Sequence, residues 1–146
     1  MIVDTHAHYL PQEMLDDLKN RSSDFPSIEC MSDGETWKLG FAGGSLSRPI
    51  HPNLRNSDKR LRWMDEQQID VQVCGGWPDS FGYEIPDAEG MRWSQFINEH
   101  LMKNCDASDR LAPLASVPLQ NGKMAAKILE EALTAGYHGA MIGTQP

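Results

Sequence analysis

Four β-rich apolar segments recur along the chain, at residues 2–8, 69–74, 111–117 and 139–143, and stretches with helical periodicity separate them. Neighbouring parallel strands require a crossover connection, and a helix usually supplies it. Strands that are buried on both faces also lose the strict alternation of apolar and polar residues. This order of elements therefore predicts the α/β class with a parallel sheet.

Helices are predicted over residues 12–20, 57–68, 87–104 and 121–135. Pro11 suits the first position of a helix, and Ser57 is a candidate N-cap for the second helix. Gly136 follows the last helix, where glycine commonly ends a helix. The spacing of apolar residues predicts a buried stripe on that helix, formed by Met124, Ile128, Leu129 and Leu133.

Residues 21–56 interrupt this regular order. Glycine occurs there at positions 34, 40, 43 and 44, which is typical of turns. The one alternating segment, Thr36–Phe41, indicates a short hairpin. Irregular segments of this length are unusual inside a compact domain and often carry function. We therefore expect an insertion over residues 21–56, after the first βα unit.

The first strand is not followed by a glycine-rich nucleotide-binding motif. Thr5-His6-Ala7-His8 stands where a dinucleotide-binding fold would carry G-x-G-x-x-G. A (β/α)8 barrel of the TIM type needs about 200 to 250 residues, and the chain has 146. We therefore expect residues 1–146 to form the N-terminal half of such a barrel, its first four βα strands only, as a fragment of a longer protein.

Acidic residues outnumber basic residues by 21 to 13, which gives a formal net charge of −8. Duplex nucleic acids and anionic membranes attract clustered lysine and arginine, so neither is expected as a partner. Cys30, Cys74 and Cys105 are widely spaced, which disfavours both a disulfide framework and a thiolate zinc site. The sequence shows neither a secretory signal nor a membrane span, and we expect a cytoplasmic protein.

Two histidines, His6 and His8, stand at the end of the first predicted strand. Residues two apart on a strand point to the same face, with Cα atoms about 6.5 to 7 Å apart. Two imidazoles at that separation can converge on one metal ion. Barrels place their active sites at this end of the strands. The pair therefore predicts a metal site, and Asp4, two residues earlier, is expected on the same face to orient an imidazole or a lysine.

Histidine pairs of this spacing also arise by chance on ordinary protein surfaces. A catalytic zinc ion normally takes three protein ligands and keeps one open position for water. The other histidines of the chain, His51, His100 and His138, are interpreted as solvated or structural. The pair by itself therefore predicts only part of a metal site.

A loop rich in aromatic residues follows the second predicted strand and contains Trp77, Phe81 and Tyr83. These rings either line the mouth of the site and stack on a planar substrate, or pack the loop against the helix that follows. Arg48, within the insertion, offers a guanidinium fork that matches a carboxylate. Alternatively, Arg48 is a solvated arginine of the loop without a ligand.

The segment V-D-T-H-A-H at the first strand resembles the metal-binding entry of the amidohydrolase superfamily. Further segments are similar to the branch of 2-amino-3-carboxymuconate-6-semialdehyde decarboxylase and related aromatic-acid decarboxylases. They lie at residues 47–49, 62–73, 81–83, 115–120 and 142–144. The resemblance thus covers nearly the whole chain.

The resemblance implies a metal-dependent decarboxylase that acts on an unsaturated or aromatic carboxylic acid without an organic cofactor. By the same match, His6 and His8 are expected to bind a divalent metal, with Zn²⁺ the first choice, and Arg48 to hold a substrate carboxylate. Ser47 departs from the family, which carries phenylalanine there. The family's remaining ligands and catalytic groups are expected beyond Pro146, so no catalytic residue is assigned in this chain and the chain alone is expected to be inactive.

Two other functions remain open at this stage. A hydrolase of the same superfamily would use the same kind of metal site on an amide, lactone or ester. A half barrel could also be an inactive binding or structural module that pairs through its free sheet edge. The resemblance further implies a homodimer for the full-length enzyme.

Overall fold

The computed structural model describes residues 1–144. Four α-helices and five β-strands alternate with short 3-10 turns. In chain order they are β1 (Val3–His8), α1 (Gln12–Asn20), β2 (Ile28–Asp33), β3 (Thr36–Phe41), α2 (Ser57–Glu66), β4 (Val71–Gly75), α3 (Asp87–Cys105), β5 (Leu111–Pro113) and α4 (Gly122–Thr134).

The main sheet is parallel and has the strand order β1-β4-β5. A helix separates each of its strands from the next along the chain, which confirms the predicted α/β class. The prediction of a regular fourth strand at residues 139–143 is wrong. Only one parallel bridge forms there, between Ala115 and Ala140, although the Ala115 N–H donates to Gly139 and the Met141 N–H donates to Ala115. The third predicted strand, at residues 111–117, is also shorter than expected: β5 ends at Pro113, although the Leu114 N–H still donates to the Cys74 oxygen at 2.7 Å.

The interval between α1 and α2 contains an antiparallel hairpin of β2 and β3. The alternating segment at Thr36–Phe41 was predicted, whereas its partner β2 was not. Gly34 takes a φ of +57° in the turn between the strands, a conformation that glycine adopts without strain. At the other end of the hairpin, Phe41 packs against the loop after β4, so closely that a Cβ on Gly82 would lie 2.8 Å from its ring.

Two large apolar clusters hold these elements together. The first packs α1 and α3 against the hairpin and contains Leu15, Leu39 and Trp93, all fully buried. The second lies between the main sheet and its helices and contains Met64, Cys74 and Leu101. The hairpin therefore shares its core with the βα units that surround it.

The helix boundaries follow the predictions with two corrections. The N-cap of α2 is Asn56, whose side chain accepts a hydrogen bond from the Lys59 N–H at 2.8 Å, and not Ser57. On α4, Leu133 is half-exposed, and the buried stripe consists of Ala125, Ile128 and Ala132.

No helix among residues 1–144 combines the length and the apolar character needed to cross a lipid bilayer.

Candidate metal centre

A register shift in the main sheet decides which side chains of β1 reach the candidate site. Asp4 pairs with Gln72 and Ala7 pairs with Cys74, so three steps along β1 match two steps along β4. A bulge of this kind turns the following residues to the opposite face. Asp4 therefore lies on the face of Gln72, to which it is hydrogen bonded at 2.8 Å, and not on the face of His6 and His8. The prediction that Asp4 shares their face and orients an imidazole is wrong.

The two histidines lie side by side at the end of β1. Their ring centroids are 4.9 Å apart, and the ring planes are nearly perpendicular. The Nδ1 atom of His8 lies 3.0 Å from the backbone oxygen of Gly76. Because a carbonyl oxygen only accepts hydrogen bonds, Nδ1 carries the proton and Nε2 keeps its lone pair. A backbone carbonyl that fixes the tautomer in this way is the usual partner of a metal-binding histidine.

The surroundings of His8 also favour its neutral form. Desolvation by burial lowers the pKa of His8 below its usual value of 6.5, and the charges of His6 and Arg60 lower it further. The hydrogen bond to Gly76 and the carboxylate of Asp79 oppose this shift. A metal ligand must be the neutral imidazole, so the depressed pKa keeps His8 available to a metal ion at neutral pH.

No cluster of three or more His, Cys, Asp or Glu side chains suited to a metal ion occurs within residues 1–144. The other histidines have separate surroundings. His51 accepts a hydrogen bond from the Asn53 N–H, His100 contacts Asp17 at 3.2 Å, and His138 is exposed. His6 and His8 therefore fit a divalent metal by donor type, and His8 also by its tautomer. Together they would supply two of the three donors that a catalytic zinc ion takes from protein.

Arg48 forms a two-pronged ion pair with Asp79 in the loop after β4. Its Nε and Nη2 atoms each lie 3.0 Å from a carboxylate oxygen of Asp79, and its guanidinium group stacks 5.6 Å from the centre of the Trp77 ring. The side chain nonetheless stays 74% exposed. The insertion thus reaches the loop that also carries the oxygen bonded to His8. Asp79 was missed from the sequence, where an acidic residue in a turn gives no distinguishing signal.

The three predicted aromatic residues differ in exposure. Trp77 and Phe81 are buried, and Trp77 belongs to the first apolar cluster. Tyr83 is partly exposed, stacks on Phe81 at 5.5 Å, and accepts a hydrogen bond from the Gly143 N–H. Packing therefore accounts for Trp77 and Phe81, and Tyr83 is the ring of the three most open to solvent. Contact with a substrate stays a prediction for all three.

Comparison with curated proteins finds two relatives that carry the same enzyme name. The chain is 29% identical over 128 residues to 2-amino-3-carboxymuconate-6-semialdehyde decarboxylase of Caenorhabditis elegans, and 24% identical over 144 residues to the protein of the same name in Dictyostelium discoideum. The resemblance to these decarboxylases is confirmed. These matches cover 86% and 97% of the chain, and 31% and 40% of the two relatives. The chain thus spans less than half the length of these decarboxylases.

The fold of the chain matches part of the fold of solved structures. A putative amidohydrolase from Staphylococcus aureus superposes with a TM-score of 0.65 at 16% identity, over 97% of the chain and 36% of that protein. Another is a dihydroxybenzoic acid decarboxylase from Polaromonas, with bound manganese and the inhibitor 2-nitroresorcinol. It superposes with a TM-score of 0.68 at 19% identity, over 98% of the chain and 39% of the other protein. No protein-family model matches the chain.

Proposed function

We propose that the polypeptide carrying this chain is a metal-dependent decarboxylase that acts on an unsaturated or aromatic carboxylic acid. The observation that carries the proposal is the pair of imidazoles at the end of β1, with His8 fixed as the Nδ1–H tautomer by Gly76. The two curated decarboxylases support the reaction class.

In this proposal His6 and His8 hold a divalent metal ion, with Zn²⁺ as the first choice and Mn²⁺, present in the Polaromonas structure, as the second. The ion would supply a positive charge that orients an acidic substrate and activates water. The contribution of this chain is to present both rings at the strand end, with the His8 tautomer already fixed. The remaining ligands and the general acid or base belong to other parts of the polypeptide.

Arg48 is proposed to bind a carboxylate of the substrate. Asp79 occupies the Nε and Nη2 donors of its guanidinium group, and no hydrogen bond to Nη1 occurs among the described residues. A planar guanidinium has a second edge of donors, so an incoming carboxylate can bind there while Asp79 keeps the group oriented. The open side of the Tyr83 ring, which stacks on the buried Phe81, would offer an apolar surface to a planar substrate.

We further propose that the chain is the N-terminal part of an eight-stranded barrel, with the β2–β3 hairpin within an insertion after the first βα unit. The apolar side chains of Val3, on β1, and of Ile142, after the isolated bridge, are 40% and 57% exposed, as expected for surface that further strands would cover. A homodimer of the complete enzyme is part of the same proposal and rests on the resemblance alone.

Carbon dioxide release tests the reaction class. The full polypeptide, loaded with Zn²⁺ or Mn²⁺, is incubated with 2-amino-3-carboxymuconate-6-semialdehyde and with dihydroxybenzoic acids, and gas release is measured beside substrate loss. We expect carbon dioxide in equal amount to the substrate consumed. Cleavage of lactones, amides or esters without gas release would instead identify a hydrolase. Absence of both bound metal and turnover would favour a binding module.

Substitution of Arg48 by lysine tests the substrate contact. Lysine keeps the charge but loses the planar fork, and a hydrogen bond to a charged group contributes about 1.5 kcal/mol at the low end, which suits an exposed side chain. We therefore expect KM to rise about tenfold, because about 1.4 kcal/mol corresponds to a factor of ten, with a smaller change in kcat. Arg62→Lys on the exposed face of α2 is the control and should leave KM unchanged. An unchanged KM in Arg48→Lys would reject the contact.

A further inference from the structure

A buried arginine, Arg60 on α2, lies directly behind the candidate metal centre. The residue is 8% exposed, and its guanidinium carbon stacks 4.6 Å from the centre of the Tyr9 ring. Among the described residues no carboxylate lies within ion-pair distance of it. The nearest connection to negative charge runs through Gln72, whose side chain accepts from Arg60 and donates to Asp4 at 2.8 Å.

Arg60 binds backbone and side-chain oxygens of three separate segments. Its Nη2 atom donates to the backbone oxygen of His8 at 2.6 Å and to that of Asn53 at 3.5 Å, and its Nη1 atom donates to Gln72 at 2.5 Å. These partners belong to the end of β1, to the segment that precedes α2 and to β4. One guanidinium group therefore ties together three of the segments that surround the histidine pair.

Burial of the Arg60 guanidinium group costs more free energy than packing alone would justify. A buried charge without a paired carboxylate loses its hydration, and hydrogen bonds to neutral oxygens replace that hydration only in part. The Nε atom of Arg60 is also buried and has no hydrogen-bond partner within residues 1–144. Methionine or leucine would fill the same space without that cost. The hydrogen bonds of the guanidinium group therefore indicate that its acceptor oxygens must be held in fixed positions.

The most consequential acceptor is the backbone oxygen of His8. The imidazole of this residue is held on one side by the oxygen of Gly76, and its carbonyl is held on the other side by Arg60. The same peptide unit is also held through the Tyr9 N–H, which donates to the Gly75 oxygen at 2.8 Å. Without Arg60 this unit keeps that sheet hydrogen bond but loses the one on its carbonyl side.

We infer that Arg60 is a positioning residue, which sets the His8 peptide plane so that the imidazole meets its metal ion in one orientation. The inference rests on the proposed metal centre. Partners that orient metal ligands from outside typically change metal affinity by about 10- to 100-fold when they are removed. Arg60 would act through His8 and would touch neither metal nor substrate.

Metal affinity of the full polypeptide is the first test, with Zn²⁺ and Mn²⁺ as probes in a competition titration. We expect Arg60→Met to weaken binding by about 10- to 100-fold, and Arg60→Lys, which keeps the charge but loses the planar fork, to weaken it less. Arg62→Met, two residues along the same helix and exposed, is the matched control and should bind as the parent does. Parent affinity in both folded Arg60 variants would overturn the inference. If Arg60→Met fails to fold, Arg60→Lys decides.

The tautomer of His8 in the metal-free polypeptide is the second test, and it does not depend on metal binding. Long-range proton–nitrogen NMR spectra distinguish a protonated Nδ1 from a protonated Nε2, and the signal is assigned by its loss in His8→Asn. We expect one Nδ1–H form in the parent and in Arg62→Met, and a mixture in Arg60→Met. A single Nδ1–H form in Arg60→Met would overturn the positioning role. A parent that binds neither metal would reject the proposed function, while these spectra would still decide the role of Arg60.

Discussion

Asparagine at both His6 and His8 is expected to abolish tight binding of divalent metal by the full polypeptide. The two rings are the donors that this chain offers at the end of β1, and His8 is already in the tautomer that a metal ligand requires. Loss of ligands that touch the ion should exceed the effect of losing their outer partners, so we expect affinity for Zn²⁺ or Mn²⁺ to fall by more than about 100-fold. Elemental analysis and competition titration measure the loss.

The control for this experiment is His138→Asn, because His138 is exposed and lies away from the end of β1 in the sequence. It should keep the metal content and the turnover of the parent. The double variant should remain folded, since His6 is exposed and His8 is only partly buried. A double variant with undiminished metal content and carbon dioxide release would refute the metal site.

Alanine at Trp93 is expected to produce the largest loss of stability from a single change in this part of the molecule. The side chain is fully buried and packs against the rings of Phe25 and Phe96, with centroids 5.5 and 5.7 Å away. Replacement of a buried tryptophan by alanine costs about 3 to 5 kcal/mol through lost contacts and the cavity that remains. Urea unfolding of the full polypeptide measures the decrease in the free energy of unfolding.

Trp93→Phe separates packing from hydrogen bonding at the same position. The indole Nε1–H donates to the backbone oxygen of Ser80 at 2.7 Å, next to Asp79 in the loop that holds Arg48. Phenylalanine leaves that buried oxygen without its partner, which costs about 1 to 3 kcal/mol. Trp63→Phe, at an exposed position on α2, is the control and should change stability by about 0.5 kcal/mol or less. Equal stabilities for the two phenylalanine variants would contradict the role given to the Ser80 contact.

The arrangement of βα units was largely predictable because it depends on local patterns. The proline before it located α1 at its observed bounds, and the aliphatic run before Gly75 located β4 to within two residues. The hairpin was only half predicted. Its strand β2 carries Glu29 and Ser32 beside apolar residues, so the strand owes its form to pairing with β3 and not to a strong pattern of its own.

The candidate site was predictable only in its most local part. His6 and His8 could be located because their spacing on a strand brings them together without any tertiary information. The face of β1 on which Asp4 lies could not be predicted, because the bulge is created by pairing with β4 and leaves no mark in the sequence of β1. Asp79 and Arg60 join residues that are far apart in the chain, and such contacts become apparent only in the folded structure.

The most direct test is a crystal structure of the full polypeptide soaked with Zn²⁺ or Mn²⁺, with anomalous diffraction recorded at the absorption edge of the metal. The account predicts one peak, in contact with a nitrogen of His6 and with Nε2 of His8, at about 2.0 to 2.1 Å for zinc, with the His8 Nδ1 still bonded to Gly76. A metal ion bound elsewhere, or coordinated through Nδ1 of His8 with the Gly76 hydrogen bond broken, would contradict it.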